Sequence, residues 1–315
     1  MKKFISAEDA GDVKALVDEA INLKNTVYTP ELGRGKTIGL VFLNPSLRTR
    51  LSTHRAALNL GMDVMVMNLN NDGWNIEFQD GAVMDGGSQE HIKDAVKVMS
   101  QYCDILGVRS FPGLKNREDD YNENIMSDFV KYSDVPVVSL ESATLHPLQS
   151  LTDMITIKEF GIVKPKIAVS WAPHPRVLPQ AVTNSFLQWV KHTDAEVVLT
   201  HPKGYELKEE FTNGIPIINN QQEAFEGADF VYAKNWSSYA HYGEKPDVEG
   251  NWTIDDKLMS LTNNGKFMHC LPIRRNVVAT DSVIDNSIVY KQAKNREIGA
   301  QIVLKKIIQS IDNSL

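Results

Sequence analysis

Short apolar runs of strand length alternate with longer segments of helical spacing along most of this chain. In the first half, the apolar runs cover residues 38–43, 63–68, 105–108 and 135–139. The segments of helical spacing cover residues 6–24, 49–60 and 91–102. Short apolar strands separated by helices are typical of βαβ units with a parallel sheet. The first half is therefore predicted to be an α/β unit.

The same alternation restarts after a helix-like segment at residues 149–160. Further strands are predicted over residues 166–170, 196–200, 230–233 and 267–270, and an amphipathic helix over 295–311. The predicted fold class is α/β, with two doubly wound parallel-sheet domains joined by helices and a C-terminal helix packing back across both. A length of 315 residues fits two such domains.

The composition of the chain excludes some classes of binding partner and indicates a compartment. Hydrophobic residues make up 42% and charged residues 23%, which is typical of a globular protein. A net charge of −7 argues against nucleic acid or an anionic membrane as partner. Two cysteines fit a reducing compartment, and acidic residues interrupt the N-terminal segment before any apolar stretch of a secretory signal forms. A cytoplasmic location without membrane contact is expected.

Polar residues with anion-binding chemistry follow the first predicted strand. Ser46 and Thr49 offer hydroxyl groups and Arg48 a forked cation, where helix 49–60 begins. A helix N-terminus adds unpaired backbone N–H groups and the positive end of the dipole. These features predict a phosphate site, although a capped helix with solvated arginines would give the same pattern.

Other unusual side chains follow other predicted strands, where open α/β sheets bind their ligands. They are Arg109, His146 to Gln149 (HPLQ), His174, Lys234 and His269 to Pro272 (HCLP). Taken singly, each has an ordinary interpretation: a surface arginine, a helix start, or a buried Cys270. No second Cys–His pair stands at zinc spacing, so no metal is expected.

Together, the anion loop, Arg109, HPLQ, HCLP and the late Arg296 resemble the aspartate/ornithine carbamoyltransferase family. Leu47 replaces the first threonine of the family's usual Ser-Thr-Arg-Thr-Arg, and the Asp and Ser-Met-Gly motif of the ornithine enzymes is not found. The segments Ala233 to Trp236 (AKNW), Glu141 to Ala143 (ESA) and His174 to Arg176 (HPR) resemble the branch that acts on N-acylated ornithine. An acylated nitrogen is a neutral amide, which would leave a buried Asp unpaired.

The resemblance implies that carbamoyl is transferred from carbamoyl phosphate to the δ-amine of an N-acylornithine, in arginine biosynthesis. It implies a carbamoyl phosphate-binding domain at residues 1–145 plus 295–315, and an acylornithine-binding domain at 146–294. The implied catalytic residues are Arg109, His146, Thr49, Cys270 and Arg296, with Cys270 a shaping element, not a nucleophile. The implied carbamoyl phosphate ligands are Ser46, Leu47, Arg48, Thr49, Trp74, Arg109, His146, Gln149, Leu271 and Arg296. The implied acylornithine ligands are Glu90, Glu141, His174, Arg176, Lys234 and Arg275.

The family further implies no cofactor and a homotrimer with shared active sites, in which Trp74 and Glu90 reach a neighbouring subunit. A Glu at position 90 resembles the acetyl-preferring enzymes, whereas the succinyl-preferring ones have Pro. Glu90 would repel the terminal carboxylate of a succinyl group, so acetylornithine is the expected substrate. Arg176 with the pair Arg274 and Arg275 would instead suit succinylornithine, and Glu90 is also an ordinary first-turn acid of a helix.

Other functions compatible with the motifs are a plain ornithine carbamoyltransferase and a non-catalytic anion-binding α/β protein. A solute-binding protein would require an export signal, and a silent relative would have no chemical need for the whole residue set. Turnover on ornithine, aspartate and acylornithines separates the carbamoyltransferases from one another.

Overall fold

The computed structural model describes residues 1–69 and 73–313. The strands are β1 Lys3–Phe4, β2 Thr37–Phe42, β3 Asp63–Asn68, β4 Ile76–Glu77, β5 Glu90–His91, β6 Ile105–Arg109, β7 Val137–Glu141, β8 Lys166–Trp171, β9 Glu196–Thr200, β10 Phe230–Lys234 and β11 Lys266–Met268. The α-helices are α1 Val13–Leu23, α2 Arg48–Asn59, α3 Ile92–Tyr102, α4 Arg117–Tyr121, α5 Asn124–Tyr132, α6 Pro147–Lys158, α7 Ala181–Val190, α8 Glu209–Thr212, α9 Gln221–Phe225, α10 Asp256–Met259, α11 Asp281–Asp285 and α12 Val289–Asp312. Short 3₁₀ turns cover Glu8–Ala10 and Lys24–Thr26.

The chain divides into two compact units. The first comprises Met1–Pro112, Glu118–Leu148 and the chain from Arg296 onward, and the second comprises Gly113–Arg117 and Gln149–Asn295. The chain passes from one unit to the other four times, once between Pro112 and Gly113 and then within helices α4, α6 and α12. Two α/β units joined by helices, with a long C-terminal helix, confirm the predicted fold class.

The first unit is built on a five-stranded sheet in the order β1-β7-β6-β2-β3, and every neighbouring pair is parallel. Helices α3 and α5 pack on it through a buried apolar cluster that includes Val41, Val96, Leu106 and Phe129. A second, two-stranded parallel sheet of β4 and β5 lies outside the main one. Both of its strands belong to residues 73–91.

The second unit contains a four-stranded parallel sheet in the order β11-β10-β8-β9. Ala168, Val231 and Phe267 of three adjacent strands pack together with Phe225 of α9 and Ile284 of α11. Strands of this kind, buried on both faces, require near-continuous apolar runs. This requirement explains why the runs were visible in the sequence.

Several predicted bounds were wrong by a few residues. The first helix begins at Val13, not residue 6, because Gly11 has a positive φ of 65° and the Asp12 side chain caps the helix by accepting from the Ala15 N–H. The last helix, predicted over 295–311, begins six residues earlier at Val289 and ends at Asp312. Of the predicted domain segment 295–315, residues 314–315 lie outside the described residues. In residues 1–69 and 73–313, no helix combines the length and apolarity needed to cross a membrane.

A buried histidine makes the stability of the second unit dependent on pH. His201 follows β9, is 1% exposed, and lies 2.9 Å through Nδ1 from the Pro202 carbonyl oxygen. Burial lowers its pKa from the ordinary 6.5, opposed in part by that carbonyl and by Glu206. The unfolded chain therefore takes up a proton at a higher pH than the folded chain does, so stability is lost as the pH falls below 6.5.

We expect the free energy of unfolding to fall with acidification between pH 7 and 5, by at most about 1.4 kcal/mol per pH unit from this one proton. His201→Leu should make that dependence shallower. His241→Leu, at a histidine whose side chain is 59% exposed, serves as control and should leave the slope unchanged. Urea unfolding at each pH measures the slope, and equal slopes for wild type and His201→Leu would contradict the assignment.

Candidate active site

The strand order of the first sheet brings two polar segments together. Strands β2 and β6 are neighbours, while β3 and β7 lie on opposite outer sides of that pair. The order in which the chain adds strands to the sheet therefore reverses between β2 and β6. Phe42 pairs in register with Arg109, and the Leu43 N–H donates to the Arg109 carbonyl at 3.0 Å. Ligands of open α/β sheets bind at such switch points, beyond the carboxyl ends of the strands.

Helix α2 begins directly at this switch point. Its N-cap residue, Leu47, provides no side-chain hydrogen bond to the first turn, and its own side chain is exposed. The backbone N–H groups of the first turn are therefore not capped by that residue, and they carry the positive end of the helix dipole. Ser46 and Arg48 are half-buried at this end and Thr49 is buried. The arrangement is suited to an anion.

Arg109 is a buried cation that is fixed from several sides. Its Nη1 donates to the carbonyl oxygens of Asn44 at 2.9 Å and Pro45 at 2.8 Å, and its guanidinium stacks on the Phe111 ring at 4.0 Å. Burial lowers the pKa of Arg109, Glu141 opposes that shift, and the charge of Arg48 lowers the pKa further. Arg109 thus holds the loop before α2 and adds positive charge beside it.

Glu141, at the end of β7, lies beside two of the predicted catalytic residues. Its Oε2 accepts from Nη2 of Arg109 at 3.1 Å and is 3.8 Å from Nε2 of His146. All three side chains are buried. The sequence suggested that Glu141 binds acylornithine, and the structure places it against residues predicted to hold the carbamoyl group.

Arg296 of α12 reaches the beginning of α2. Its Nη2 donates to the Thr49 hydroxyl at 2.7 Å, and both side chains are buried. The first unit therefore collects the hydroxyl of Thr49 and the guanidinium groups of Arg48, Arg109 and Arg296 around the N-terminus of one helix. This is a cationic site with donors suited to a phosphate and to an adjoining carbonyl oxygen.

Sequence reasoning missed Glu123, which fixes the loop that leads to His146. Its carboxylate accepts from the Ser142 hydroxyl at 2.6 Å, from the Ala143 N–H at 3.1 Å, and from both the N–H and the hydroxyl of Thr144 at 2.7 and 2.5 Å. The residue has a positive φ of 52°, unusual for a side chain other than glycine. The residues around Glu123 form an acidic stretch that is typical of a solvent-exposed helix, so no sequence signal indicated its role.

Trp74 and Glu90 form a contact of their own within residues 73–91. The indole Nε1 donates to Oε2 of Glu90 at 2.8 Å, and the Trp74 side chain remains 57% exposed. Asn75 and Gln89 exchange two hydrogen bonds beside them, at 3.0 and 3.2 Å. The two residues that the family resemblance assigns to a neighbouring subunit are therefore joined to each other by a hydrogen bond.

The second sheet has its own switch point between β8 and β10, with β9 and β11 on opposite outer sides. Trp171 and Lys234 pair in register at the ends of these strands. Lys234 is buried, and its Nζ donates to the Asn235 carbonyl at 3.2 Å. His174 follows β8 three residues after the strand ends.

A cavity of about 580 Å³ opens beside this switch point, and His174, Lys245, Trp171, Trp252 and Arg274 line it. The Nε of Arg274 donates to Nε2 of His174 at 3.1 Å, and Nδ1 of that histidine lies 3.0 Å from the Arg176 carbonyl oxygen and 3.1 Å from the Arg176 backbone nitrogen. Burial lowers the pKa of His174, the Arg176 carbonyl opposes that shift, and the charges of Lys234 and Arg274 lower it further. The pocket lining combines cations and the Asp247 carboxylate with aromatic walls.

Arg275 has a different environment from Arg274. Its guanidinium forms ion pairs with Asp281 at 2.9 Å and Asp285 at 2.7 Å, which raise its pKa. Arg176 is exposed, and its side chain is near enough to His174 to lower that histidine's pKa. Of the three arginines that would suit a succinyl carboxylate, one is therefore already neutralised by two aspartates.

Gln149, Cys270 and Leu271 also lie in the second unit. Gln149 is buried, and its Nε2 donates to Asp153 at 2.7 Å. Cys270 is buried and is not part of a disulfide. Leu271 has a positive φ of 58°, and its N–H donates to Nδ1 of His269 at 2.9 Å. Backbone held in the left-handed region by surrounding contacts is concentrated at functional sites.

The chain matches known proteins over nearly its whole length. Residues 2–159 match the aspartate/ornithine carbamoyltransferase family model for the carbamoyl-P binding domain, and residues 179–305 match the model for the Asp/Orn binding domain. N-succinylornithine carbamoyltransferase of Bacteroides fragilis (strain 638R) is 50% identical over 317 residues, covering 99% of this chain and 100% of that protein. N-acetylornithine carbamoyltransferase of Xanthomonas campestris pv. campestris is 37% identical over 322 residues, covering 94% of each.

Solved structures of similar fold belong to enzymes of the same kind as these relatives. Acetylornithine transcarbamylase complexed with acetylcitrulline superposes with a TM-score of 0.90 at 34% identity, covering 98% of this chain and 99% of that one. A mutant N-acetyl-L-ornithine transcarbamylase complexed with carbamyl phosphate and N-succinyl-L-norvaline gives the same score and identity, covering 98% of this chain and 100% of that one. The sequence match, the fold and the cationic switch point agree, and the chain belongs to the aspartate/ornithine carbamoyltransferase family.

Proposed function

We propose that this chain transfers the carbamoyl group of carbamoyl phosphate to the δ-amine of an N-acylated L-ornithine, giving N-acyl-L-citrulline and phosphate, in arginine biosynthesis. The cluster of Thr49, Arg109, His146 and Arg296 in the first unit carries the proposal. Relatives named for N-succinylornithine and N-acetylornithine, at 50% and 37% identity, support the acylated acceptor.

In this proposal, the first turn of α2 holds the phosphate through Ser46, Arg48, Thr49 and the backbone of Leu47. Arg109 and His146, with Thr49, hydrogen-bond to the carbamoyl oxygen, where negative charge develops as the neutral amine attacks the carbon. The new N–C bond forms, the C–O bond to phosphate breaks, and the departing phosphate accepts the proton that the nitrogen loses. Gln149 and the backbone of Cys270 and Leu271 contact the carbamoyl NH₂ group.

The acylornithine is proposed to use Lys234, His174 and Arg176 of the second unit, with Glu90 facing the acyl group. An acetyl group is favoured because the Glu90 carboxylate repels a second carboxylate, and because Arg275 is occupied by two aspartates. N-succinylornithine is the second candidate, since the Bacteroides fragilis protein named for it shares more identity with this chain than the N-acetylornithine enzyme does.

Self-association is part of the proposal. Leu47, Leu51 and Leu58 are exposed and recur on one face of α2, and an apolar stripe of this kind is typical of a surface covered by a partner. A homotrimer would also bring Trp74 of one copy to the site of the next. Light scattering should give a mass three times the 35.3 kDa of the chain, and a monomeric, fully active protein would contradict this arrangement.

Ureido product formed from carbamoyl phosphate with ornithine, N-acetylornithine and N-succinylornithine, assayed side by side, tests the function. We expect turnover of the acylated substrates only, with the acetyl compound preferred. Turnover of ornithine alone would assign the plain ornithine reaction. Binding of carbamoyl phosphate without any turnover would support the non-catalytic anion-binding alternative.

A further inference from the structure

Asp153 is a fully buried carboxylate that the proposed mechanism does not use. It lies in the middle of α6, and its exposed fraction is 0%. Its Oδ1 accepts from Nε2 of Gln149 at 2.7 Å and from Nε2 of Gln292 at 2.6 Å, and its Oδ2 accepts from the Tyr232 hydroxyl at 2.9 Å. Burying a carboxylate is unfavourable unless donors of this kind compensate for the lost water.

The Asp153 carboxylate sets the orientation of two amide side chains. Oδ1 of Asp153 accepts a hydrogen bond from each amide, so Gln149 and Gln292 both turn their NH₂ groups towards it and their oxygens away. The oxygen of Gln292 accepts the His269 N–H at 3.0 Å, and Nδ1 of His269 accepts the Leu271 N–H at 2.9 Å. One carboxylate oxygen thus determines the orientation of Gln149 and, through Gln292, the backbone from His269 to Leu271.

We propose that Asp153 is the positioning residue for recognition of the carbamoyl NH₂ group. The proposal rests on the proposed function, in which Gln149 and the backbone of Cys270 and Leu271 contact that group. An NH₂ group donates, so it requires acceptors, and a Gln149 amide turned the other way would set two donors against each other. By holding the Gln149 NH₂ group, Asp153 presents the amide oxygen to the ligand.

The dissociation constants of two anions that differ by the carbamoyl group distinguish this positioning role from a general structural role. Carbamoyl phosphate uses both the phosphate contacts of the first unit and the carbamoyl contacts, whereas inorganic phosphate uses only the former. Asp153→Ala should raise the Kd of carbamoyl phosphate by about tenfold, the equivalent of about one lost hydrogen bond. The Kd of inorganic phosphate, measured by the same calorimetry, should stay within about twofold.

Two further variants act as controls. Asp153→Asn keeps an oxygen for both glutamines and turns its NH₂ towards the Tyr232 oxygen, so it should restore carbamoyl phosphate binding to within about threefold of wild type. Tyr232→Phe removes the donor to Oδ2 and leaves both glutamine contacts in place. It should lower the melting temperature without changing the ratio of the two dissociation constants.

If Asp153→Ala does not fold, Gln292→Met tests the same route with the carboxylate retaining two of its donors. It should also weaken carbamoyl phosphate selectively over inorganic phosphate. Equal weakening of both anions in these variants, or a selective loss in Tyr232→Phe as large as in Asp153→Ala, would overturn the positioning role. Wild-type protein that bound carbamoyl phosphate no more tightly than inorganic phosphate would overturn the proposed function itself, and this role with it.

Discussion

Arg48→Ala is expected to lower kcat/KM for carbamoyl phosphate by about 10²- to 10³-fold, because a forked guanidinium on a phosphate forms two charge-assisted hydrogen bonds. Arg48 is the first residue of α2 and is half-buried there. Its charge is near enough to Arg109 to add to the lowering of that residue's pKa, of which burial is the main cause. The loss should appear mainly as weaker binding, which calorimetry with carbamoyl phosphate measures directly.

Arg55→Ala is the matched control for the loss of one positive charge on the same helix. The Arg55 side chain is 65% exposed and lies 3.9 Å from the Glu297 carboxylate. Loss of such an exposed pair changes stability by about 0–1 kcal/mol, and activity should stay near wild type. Normal carbamoyl phosphate binding by Arg48→Ala, or an equal loss in both variants, would contradict the assignment of the anion site to the start of α2.

The sequence predicted the elements that are buried on both faces and was weakest where single side chains decide a boundary. Strands β3 and β9 have the predicted bounds, because continuous apolar runs of strand length specify them. The strand predicted to reach residue 270 ends at Met268, because the His269 N–H donates to the side chain of Gln292 instead of to a neighbouring strand. The small β4–β5 sheet was not predicted, since two-residue strands leave no periodic pattern.

The residues of the candidate site, like the secondary structure, could be predicted from the sequence only in part. Polar residues at strand ends were visible, because chain order and strand periodicity place them at the switch points of the two sheets. Glu123 and Asp153 were not, because their partners are brought to them by the fold. The contact between Asp153 and Gln292, for example, joins residues that are 139 positions apart. Such a carboxylate has no sequence signal until the tertiary contacts are known.

Glu90→Pro is expected to raise the ratio of kcat/KM for N-succinylornithine over N-acetylornithine by as much as about 10³-fold, through faster succinyl turnover and slower acetyl turnover. Two carboxylates about 4 Å apart at an effective dielectric near 20 repel by roughly 4 kcal/mol, which sets this upper limit. Glu90 is the half-buried first residue of β5, and the Trp74 indole donates to its carboxylate at 2.8 Å. Proline therefore removes a charge, an acceptor for Trp74 and a backbone N–H together.

Glu90→Gln separates these effects, because its amide oxygen can still accept from Trp74 while its charge is gone. If charge alone sets the preference, glutamine should shift the acyl ratio nearly as far as proline while kcat on the acetyl substrate is kept. If the orientation of Trp74 also matters, proline should lower kcat for both substrates and glutamine should not. Glu77→Gln, in the partner strand β4, loses the same charge and should leave the ratio unchanged.

The two variants at position 90 also distinguish an effect on the acyl group from an effect on carbamoyl phosphate through Trp74. Trp74 donates a hydrogen bond to the Glu90 carboxylate, so a substitution at position 90 also changes the surroundings of Trp74. A change in the KM of carbamoyl phosphate for proline but not glutamine would trace to Trp74, the residue proposed to reach that substrate. An acyl ratio that is the same in wild type, Glu90→Gln and Glu90→Pro would contradict the electrostatic explanation, and the preference would then have to come from the cationic pocket around His174 and Arg274.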